Sequence, residues 1–271
     1  MKLGIVLSTQ PASFSALAYQ GQLTENIAKI AALGYDGVEL AVRDPALLDV
    51  PYIMKAVATN NLVVPAIGTG QAFAEEGLSF THPDGGVRRE AVARIQSQIE
   101  LAAQFDAVVI LGLIRGRTSP QIDREKVLTW LTDALRECVD RASRRAVKLA
   151  LEPINRYETD LVNTVADAID LTERVGAQNL ALLLDSFHMN IEEPSLFDSI
   201  RQAGPRICHF HVADSNRWYP GAGHIDFKRV VQILRETGYK GFVSAEILPQ
   251  PDPDTCAQKT IDTMKPLLKG A

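Results

Sequence analysis

Eight short runs of apolar and β-branched residues recur along the chain, separated by stretches long enough to form helices. The runs are KLGIVLS (2–8), GVELAV (37–42), VVPAIG (63–68), AVVILG (107–112), KLALEPI (148–154), LALLLDS (180–186), ICHFHVAD (207–214) and FVSAEIL (242–248). Between them apolar residues return at helical spacing: Leu128, Leu131, Leu135, Cys138 and Ala142 share one face, and Phe227, Val230, Val231 and Leu234 another. Thr164 opens a T-V-A-D helix start, Pro194 suits a second, and a third begins near Asp226. Eight strand–helix units in 271 residues predict an α/β fold of the (β/α)8 TIM-barrel type, its parallel strands covered outside by helices. A doubly wound open sheet competes, but no G-x-G-x-x-G follows the first run. With no linker or low-complexity tract, the expectation is one domain over residues 1–271.

Composition removes several function classes. A formal charge of −5 gives no basic footprint for nucleic acid. Cys138, Cys208 and Cys256 are odd in number and far apart, which suits a reducing compartment better than a disulfide framework. MKLGIVLSTQ is too short in apolar residues for a signal peptide, and no later segment could span a bilayer. A cytoplasmic protein without membrane or nucleic-acid partners is expected.

In such a barrel function gathers where the strands end, because the loops there vary without disturbing the packed interior. Four successive runs end in metal-ligand chemistry: Glu152 on the fifth, Asp185 on the sixth, His211 on the seventh and Glu246 on the eighth. Side chains alternate along a strand, so Glu152 shares a face with Ala150, Asp185 with Leu183, His211 with His209, and Glu246 with Ser244. If that face looks inward, three carboxylates and an imidazole converge, and a divalent cation is the natural neutraliser. Oxygen-rich ligands with one nitrogen fit Mn²⁺, Mg²⁺ or Co²⁺ better than a thiolate zinc site. One acid at a strand end is more often a cap or a solvated residue; four on successive strands are harder to explain that way.

EPINRYET (152–159), DSFHMNIEE (185–193), HFHVADSNRWYPGAGHIDF (209–227) and VSAEILP (243–249) resemble the ketose 3-epimerase family among the xylose-isomerase-like barrels. AVRDP (41–45), AIGTGQA (66–72), GLSFTHPD (77–84) and LGLIRGR (111–117) are more similar to its 5-keto-L-gluconate epimerase branch. The resemblance implies a Mn²⁺-type ion held by Glu152, Asp185, His211 and Glu246, with His188, Arg217 and Glu158 around the sugar. It also implies a homodimer or homotetramer.

Inverting a carbinol carbon beside a ketone means removing its proton, and a metal that polarises the neighbouring oxygens makes that proton acidic enough. The product is an enediolate, whose oxygens His188 and Arg217 can hydrogen-bond. Two acid/base groups are needed, one on each face; Glu152 and Glu246, from strands three places apart around the ring, suit this. Glu158 fits either a partner of these carboxylates and the sugar or a loop surface acid. His209 fits a barrel-layer residue or a partner of a ligand better than a second ligand, and Trp218 and His224 fit either a loop over the site or a turn before the next helix. Arg43, Arg115 and Arg117 stand near strand ends, where a guanidinium can clamp the carboxylate of a keto-sugar acid; a salt bridge, such as Arg43 with Asp44, is the competing reading. The expected activity is epimerisation of a keto-sugar acid (5-keto-L-gluconate or D-tagaturonate) or of a ketose (D-tagatose, D-psicose, D-fructose or L-ribulose). Alternatives are an aldose–ketose isomerase of the hydroxypyruvate isomerase type or an inosose dehydratase. A multi-zinc nuclease of the endonuclease IV type would need more histidines than the five present.

Overall fold

The computed structural model describes residues 1–269. The strands are β1 (Lys2–Ser8), the two-residue β2 (Tyr19–Gln20), β3 (Gly37–Ala41), β4 (Ala66–Gly68), β5 (Val108–Leu111), β6 (Leu149–Leu151), β7 (Leu180–Asp185), β8 (Ile207–Val212) and β9 (Phe242–Ala245). The helices are α1 (Leu23–Leu33), α2 (Val50–Thr59), α3 (Gly70–Glu76), α4 (Gly85–Phe105), α5 (Arg124–Ser143), α6 (Val165–Val175), α7 (Ser186–Glu192), α8 (Leu196–Ala203), α9 (Phe227–Glu236) and α10 (Pro253–Lys269). From β3 to β9 each strand lies parallel beside the next; β1 joins β3 on one side and β9 on the other, which closes an eight-strand (β/α)8 barrel. β2 pairs with Leu7 and Ser8, beyond the point where β9 leaves β1 at Ile5. No helix among the described residues is long and apolar enough to cross a membrane.

Several strands are shorter than the runs that announced them. In VVPAIG, Pro65 has no N–H for the ladder; Val63 makes only an isolated bridge to Gly37, and β4 starts at Ala66. Glu152 and Glu246 stand one residue beyond β6 and β9 in the inward phase, and Glu152 N still donates to Leu111 O of β5. The helix starts follow the capping signals. Thr164 and Asp167 form a reciprocal capping box on α6, Asp226 caps α9, and the helix expected near Pro194 begins at Leu196 with Ser195 as its cap.

The core has two layers with different chemistry. Outside the strands, Leu131, Leu135, Cys138 and Ala142 of α5 and Val230, Val231 and Leu234 of α9 are buried, each large side chain contributing about 2 kcal/mol. Inside the barrel, Ala66, Ile110, Ala150 and Leu183 form an apolar layer with Val108 and Cys208 against it. A Cβ on Gly37 would lie 2.6 Å from the Phe242 ring and 2.7 Å from the Val63 carbonyl oxygen, so the phenyl ring fills the space that glycine leaves. Towards the C-terminal ends of the strands the buried side chains turn polar: Glu39, Glu152, Asp185, His209 and His211.

A bulge sets the phase of β8. Leu182 pairs with Ile207 but Leu183 pairs with His209, leaving Cys208 as the extra residue. His209 and His211 therefore stand opposite Leu183 and Asp185 on the inner face.

Candidate active site

Glu152, Asp185 and His211 end on adjacent strands, and their free atoms face one point. His211 Nδ1 lies 3.8 Å from Glu152 Oε1 and 3.8 Å from Asp185 Oδ2. All three atoms are buried and have no hydrogen-bond partner, a costly arrangement for two carboxylate oxygens and a ring nitrogen. Each residue's other polar atoms are placed separately. Asp185 Oδ1 accepts from Phe187 N at 2.6 Å and caps α7, so DSFHMNIEE turns from strand to helix at the acid that leaves Oδ2 free. Gly112 makes room for Glu152, whose Oε2 would lie 2.9 Å from a Cβ there. Burial drives Glu152 well above the usual carboxylate range and raises Asp185, with His211 opposing both shifts. Two oxygens and one imidazole nitrogen, without a thiolate, form a donor set that fits a hard divalent cation.

His211 is held from behind by Glu39 of β3, a residue that strand-end reasoning passed over. Its Nε2 lies 3.0 Å from Glu39 Oε1, while His209 Nε2 lies 2.7 Å from Oε2. Burial works against charge on His211, but Glu39 outweighs it and raises the ring to about 10. His209 is lowered by burial in spite of the same carboxylate.

The fourth acid, Glu246, is not in the tight cluster of Glu152, Asp185 and His211. It lines the same cavity, and its Oε2 accepts from Arg217 Nη2 at 3.1 Å. Burial pushes it up to about 7 against the pull of His211 and Arg217. Arg217 Nη1 donates to Glu158 Oε1 at 2.9 Å, and the guanidinium lies 4.9 Å from the Phe14 ring centre and 4.8 Å from that of Phe187. The Arg217 backbone is left-handed (φ 61°), a conformation that costs a side-chain-bearing residue about 1 kcal/mol. The loop enforces it: Arg217 N donates to Asp214 O, Leu248 N to Arg217 O, and the Asp214 carboxylate accepts from the N–H groups of Ser215, Gly221 and Ile225.

His188 reaches the cavity from α7, with Nε2 4.0 Å from Glu152 Oε1. Asn155 fixes its tautomer. The Asn155 Oδ1 accepts from Tyr157 N, so Nδ2 is the end that faces His188 Nδ1 at 2.7 Å and Glu158 Oε1 at 3.0 Å. Nδ1 is therefore the acceptor and Nε2 carries the hydrogen. Burial, with Arg217 and Arg115 nearby, holds His188 well below its usual pKa, so the ring is a neutral donor.

The chain matches known proteins over most of its length. The family model described as the xylose isomerase-like TIM barrel matches residues 27–267. The chain belongs to that family. The 3-dehydro-D-guloside 4-epimerase of Escherichia coli (strain K12) is 34% identical over 267 residues, covering 91% of this chain and 92% of that protein. The D-psicose 3-epimerase of Ruminiclostridium cellulolyticum is 32% identical over 226 residues, with 81% and 76% covered. A solved structure of L-ribulose 3-epimerase superposes with a TM-score of 0.84 at 27% identity, covering 99% of this chain and 94% of that one. As a member of the family the protein is a sugar isomerase/epimerase.

Within this family barrel the three arginines expected to meet a substrate carboxylate are engaged elsewhere. Arg115 is fully buried, and its guanidinium donates to the carbonyls of Gly112, Leu161 and Val162; burial lowers its pKa to about 10. Arg43 lies 3.6 Å from Glu76, not beside Asp44, and its carbonyl accepts from Arg94 and Gln98. Arg117 donates to the Glu158 carbonyl and lies 5.8 Å from the Phe73 ring centre. None of the three is among the residues lining the cavity; their donors serve loop carbonyls and surface acids. Phe14, which carried no motif, and Gln71, which stood in AIGTGQA without a role, do line it; the Gln71 Nε2 donates to Ser8 Oγ and its Oε1 has no partner. A wider basin at the opposite end of the barrel, edged by Lys148, Arg206 and Lys240, has one acid in its lining, Glu173, which pairs with Arg206 at 3.3 Å.

Proposed function

We propose that the protein is a metal-dependent epimerase that inverts the carbinol carbon next to the ketone of a neutral ketose or keto-glycoside. The observation that carries this reading is the set of unpartnered buried atoms on Glu152, Asp185 and His211 beside a third carboxylate, Glu246. Glu152, Asp185, His211 and Glu246 would hold an ion of the Mn²⁺ type, with Mg²⁺ and Co²⁺ as the alternatives; bound there, it would supply the Lewis acid that polarises the ketone and its neighbouring hydroxyl.

The chain's own groups supply the proton transfers. Glu152 and Glu246 are the acid/base pair, carried on β6 and β9 from separate sides of the cavity. Burial raises both, which makes each carboxylate a stronger base, and Glu246, pushed up to about 7, has its acid form available near neutral pH. The neutral His188 presents Nε2–H to the developing enediolate oxygens. Arg217 orients Glu246 and Glu158 together, leaving Glu158 to accept from sugar hydroxyls.

Substrate charge is argued from the same atoms. Arg217 is the one arginine or lysine among the cavity-lining residues, and two carboxylates already neutralise it. This supports a neutral polyol over a keto-sugar acid. The names of the relatives have one reaction in common, inversion beside a ketone, on a ketose in two cases and a 3-keto-glycoside in the third.

The test is turnover of D-psicose, D-tagatose, L-ribulose, a 3-keto-glycoside and 5-keto-L-gluconate with Mn²⁺ in deuterated water. Deuterium should enter at the inverted carbon. Glu152→Gln and Glu246→Gln should each abolish inversion while exchanging the proton of opposite epimers. A glutamine variant that still epimerises at near wild-type rate removes that residue from the pair, and conversion confined to 5-keto-L-gluconate rejects the neutral substrate.

A further inference from the structure

We propose that Glu39 is a positioning residue that decides which nitrogen of His211 faces the metal site. The inference rests on the metal reading above but concerns a residue outside the four ligands. Glu39 sits in the middle of β3 with a 1% exposed side chain, three strands round the barrel from β8. Its carboxylate meets Nε2 of two histidines at once: His209 at 2.7 Å on Oε2, and His211 at 3.0 Å on Oε1 and 3.2 Å on Oε2.

An ionised carboxylate only accepts, so each Nε2 must carry its hydrogen. In the neutral ring, the form that can ligate, this leaves Nδ1 as the lone-pair nitrogen, and Nδ1 is the atom that faces Glu152 and Asp185 without a partner. His209 takes no part in the cavity lining, and its bond to Oε2 keeps the carboxylate from turning away from His211. The two rings stand edge to face with centres 5.3 Å apart, which fixes the plane in which Nδ1 points. A carboxylate behind a ligating imidazole also makes it a stronger donor, and loss of such a partner typically lowers metal affinity about 10- to 100-fold.

Glutamine at position 39 separates this role from simple packing. It keeps the shape but turns one end into a donor: with its oxygen accepting from His209, its NH₂ stands where Oε1 met His211 Nε2, which favours a bare Nε2 and a hydrogen on Nδ1. Mn²⁺ binding followed by the electron paramagnetic resonance of the free ion should give one site per chain in the wild type, affinity about 10- to 100-fold weaker in Glu39→Gln, and partial recovery in Glu39→Asp. Circular dichroism sets the folded fraction of each variant. Long-range ¹H–¹⁵N spectra of the Mg²⁺-loaded wild type should show His209 and His211 protonated at Nε2, a measurement that decides the matter alone should the glutamine variant not fold. A His211 protonated at Nδ1, a folded Glu39→Gln within about twofold of wild-type affinity, or two Mn²⁺ per chain would each overturn the assignment. A wild type that binds no Mn²⁺ would overturn the metal reading with it.

Discussion

Replacing Asn155 by aspartate changes one atom at the bond that orients His188. In the native site the Asn155 amide donates to His188 Nδ1 at 2.7 Å and to Glu158 Oε1 at 3.0 Å. A carboxylate oxygen in that place can only accept, so Nδ1 must take a hydrogen; the neutral ring then has a bare Nε2 facing the substrate. The new charge also repels Glu158 and opposes the burial that keeps His188 neutral. Losing one preorganised donor to a developing oxyanion costs about 10²- to 10³-fold in kcat, or about 2.7–4 kcal/mol. The loss should fall mainly on kcat, because the donor matters most when charge has built up on oxygen. Initial rates on D-psicose or L-ribulose at saturating Mn²⁺ measure this, and Mn²⁺ titration of the same protein should show affinity close to wild type, since the Asn155 side chain hydrogen-bonds His188, Glu158 and Tyr157 N and none of Glu152, Asp185 and His211. A kcat within about threefold of wild type would refute the tautomer argument. A parallel collapse of Mn²⁺ affinity would mean that Asn155 supports the cluster and not the donor.

Chelation should abolish turnover and Mn²⁺ or Co²⁺ restore it; Asp185→Asn should lose ion affinity, because an amide that still accepts from Phe187 N turns its NH₂ towards the cluster. Full activity in protein shown by elemental analysis to be metal-free would contradict this. Arg115→Met should lower Tm by about 2–6 °C, because Leu161 O loses its donor while Gly112 O and Val162 O keep the N–H groups of Arg115 and Ile154, and it should leave any preference between 5-keto-L-gluconate and neutral ketoses unchanged. A selective rise in KM for the acid would return Arg115 to the substrate. Asp214→Asn should destabilise the loop that carries Arg217 by about 1–3 kcal/mol at pH 7. Burial alone would raise the Asp214 pKa, yet the N–H groups of Ser215, Ile225, Gly223 and Gly221 hold it below its ordinary value. Its contribution is thus full above the unfolded value of about 3.9 and is lost as pH falls through the folded value, so urea melts of variant and wild type should converge at acid pH.

The sequence by itself determined the barrel and the inward convergence of Glu152, Asp185 and His211. A strand repeats every two residues, so an acid or histidine at the end of an apolar run has its face fixed by the residues before it. Glu152, Asp185 and His211 could therefore be placed on one inner surface from local pattern alone, and Thr164 and Asp226 marked helix starts because capping is also local. Glu39 left a trace as an acid inside a buried run, but its partners on β8 are 170 and 172 residues away, and only barrel closure brings them together. The bulge at Cys208, which gives β8 its register against β7, is likewise a property of the strand pair. Asn155 was visible inside EPINRYET without a role, since its partner His188 arrives on a helix from the next unit. The arginines show the opposite case: each stood near a strand end, but a guanidinium on a long side chain can reach several acceptors, and which one it meets depends on loops that periodicity does not describe. Short side chains on regular strands inherit their direction from the backbone, whereas long side chains on loops take theirs from whatever the fold places within reach.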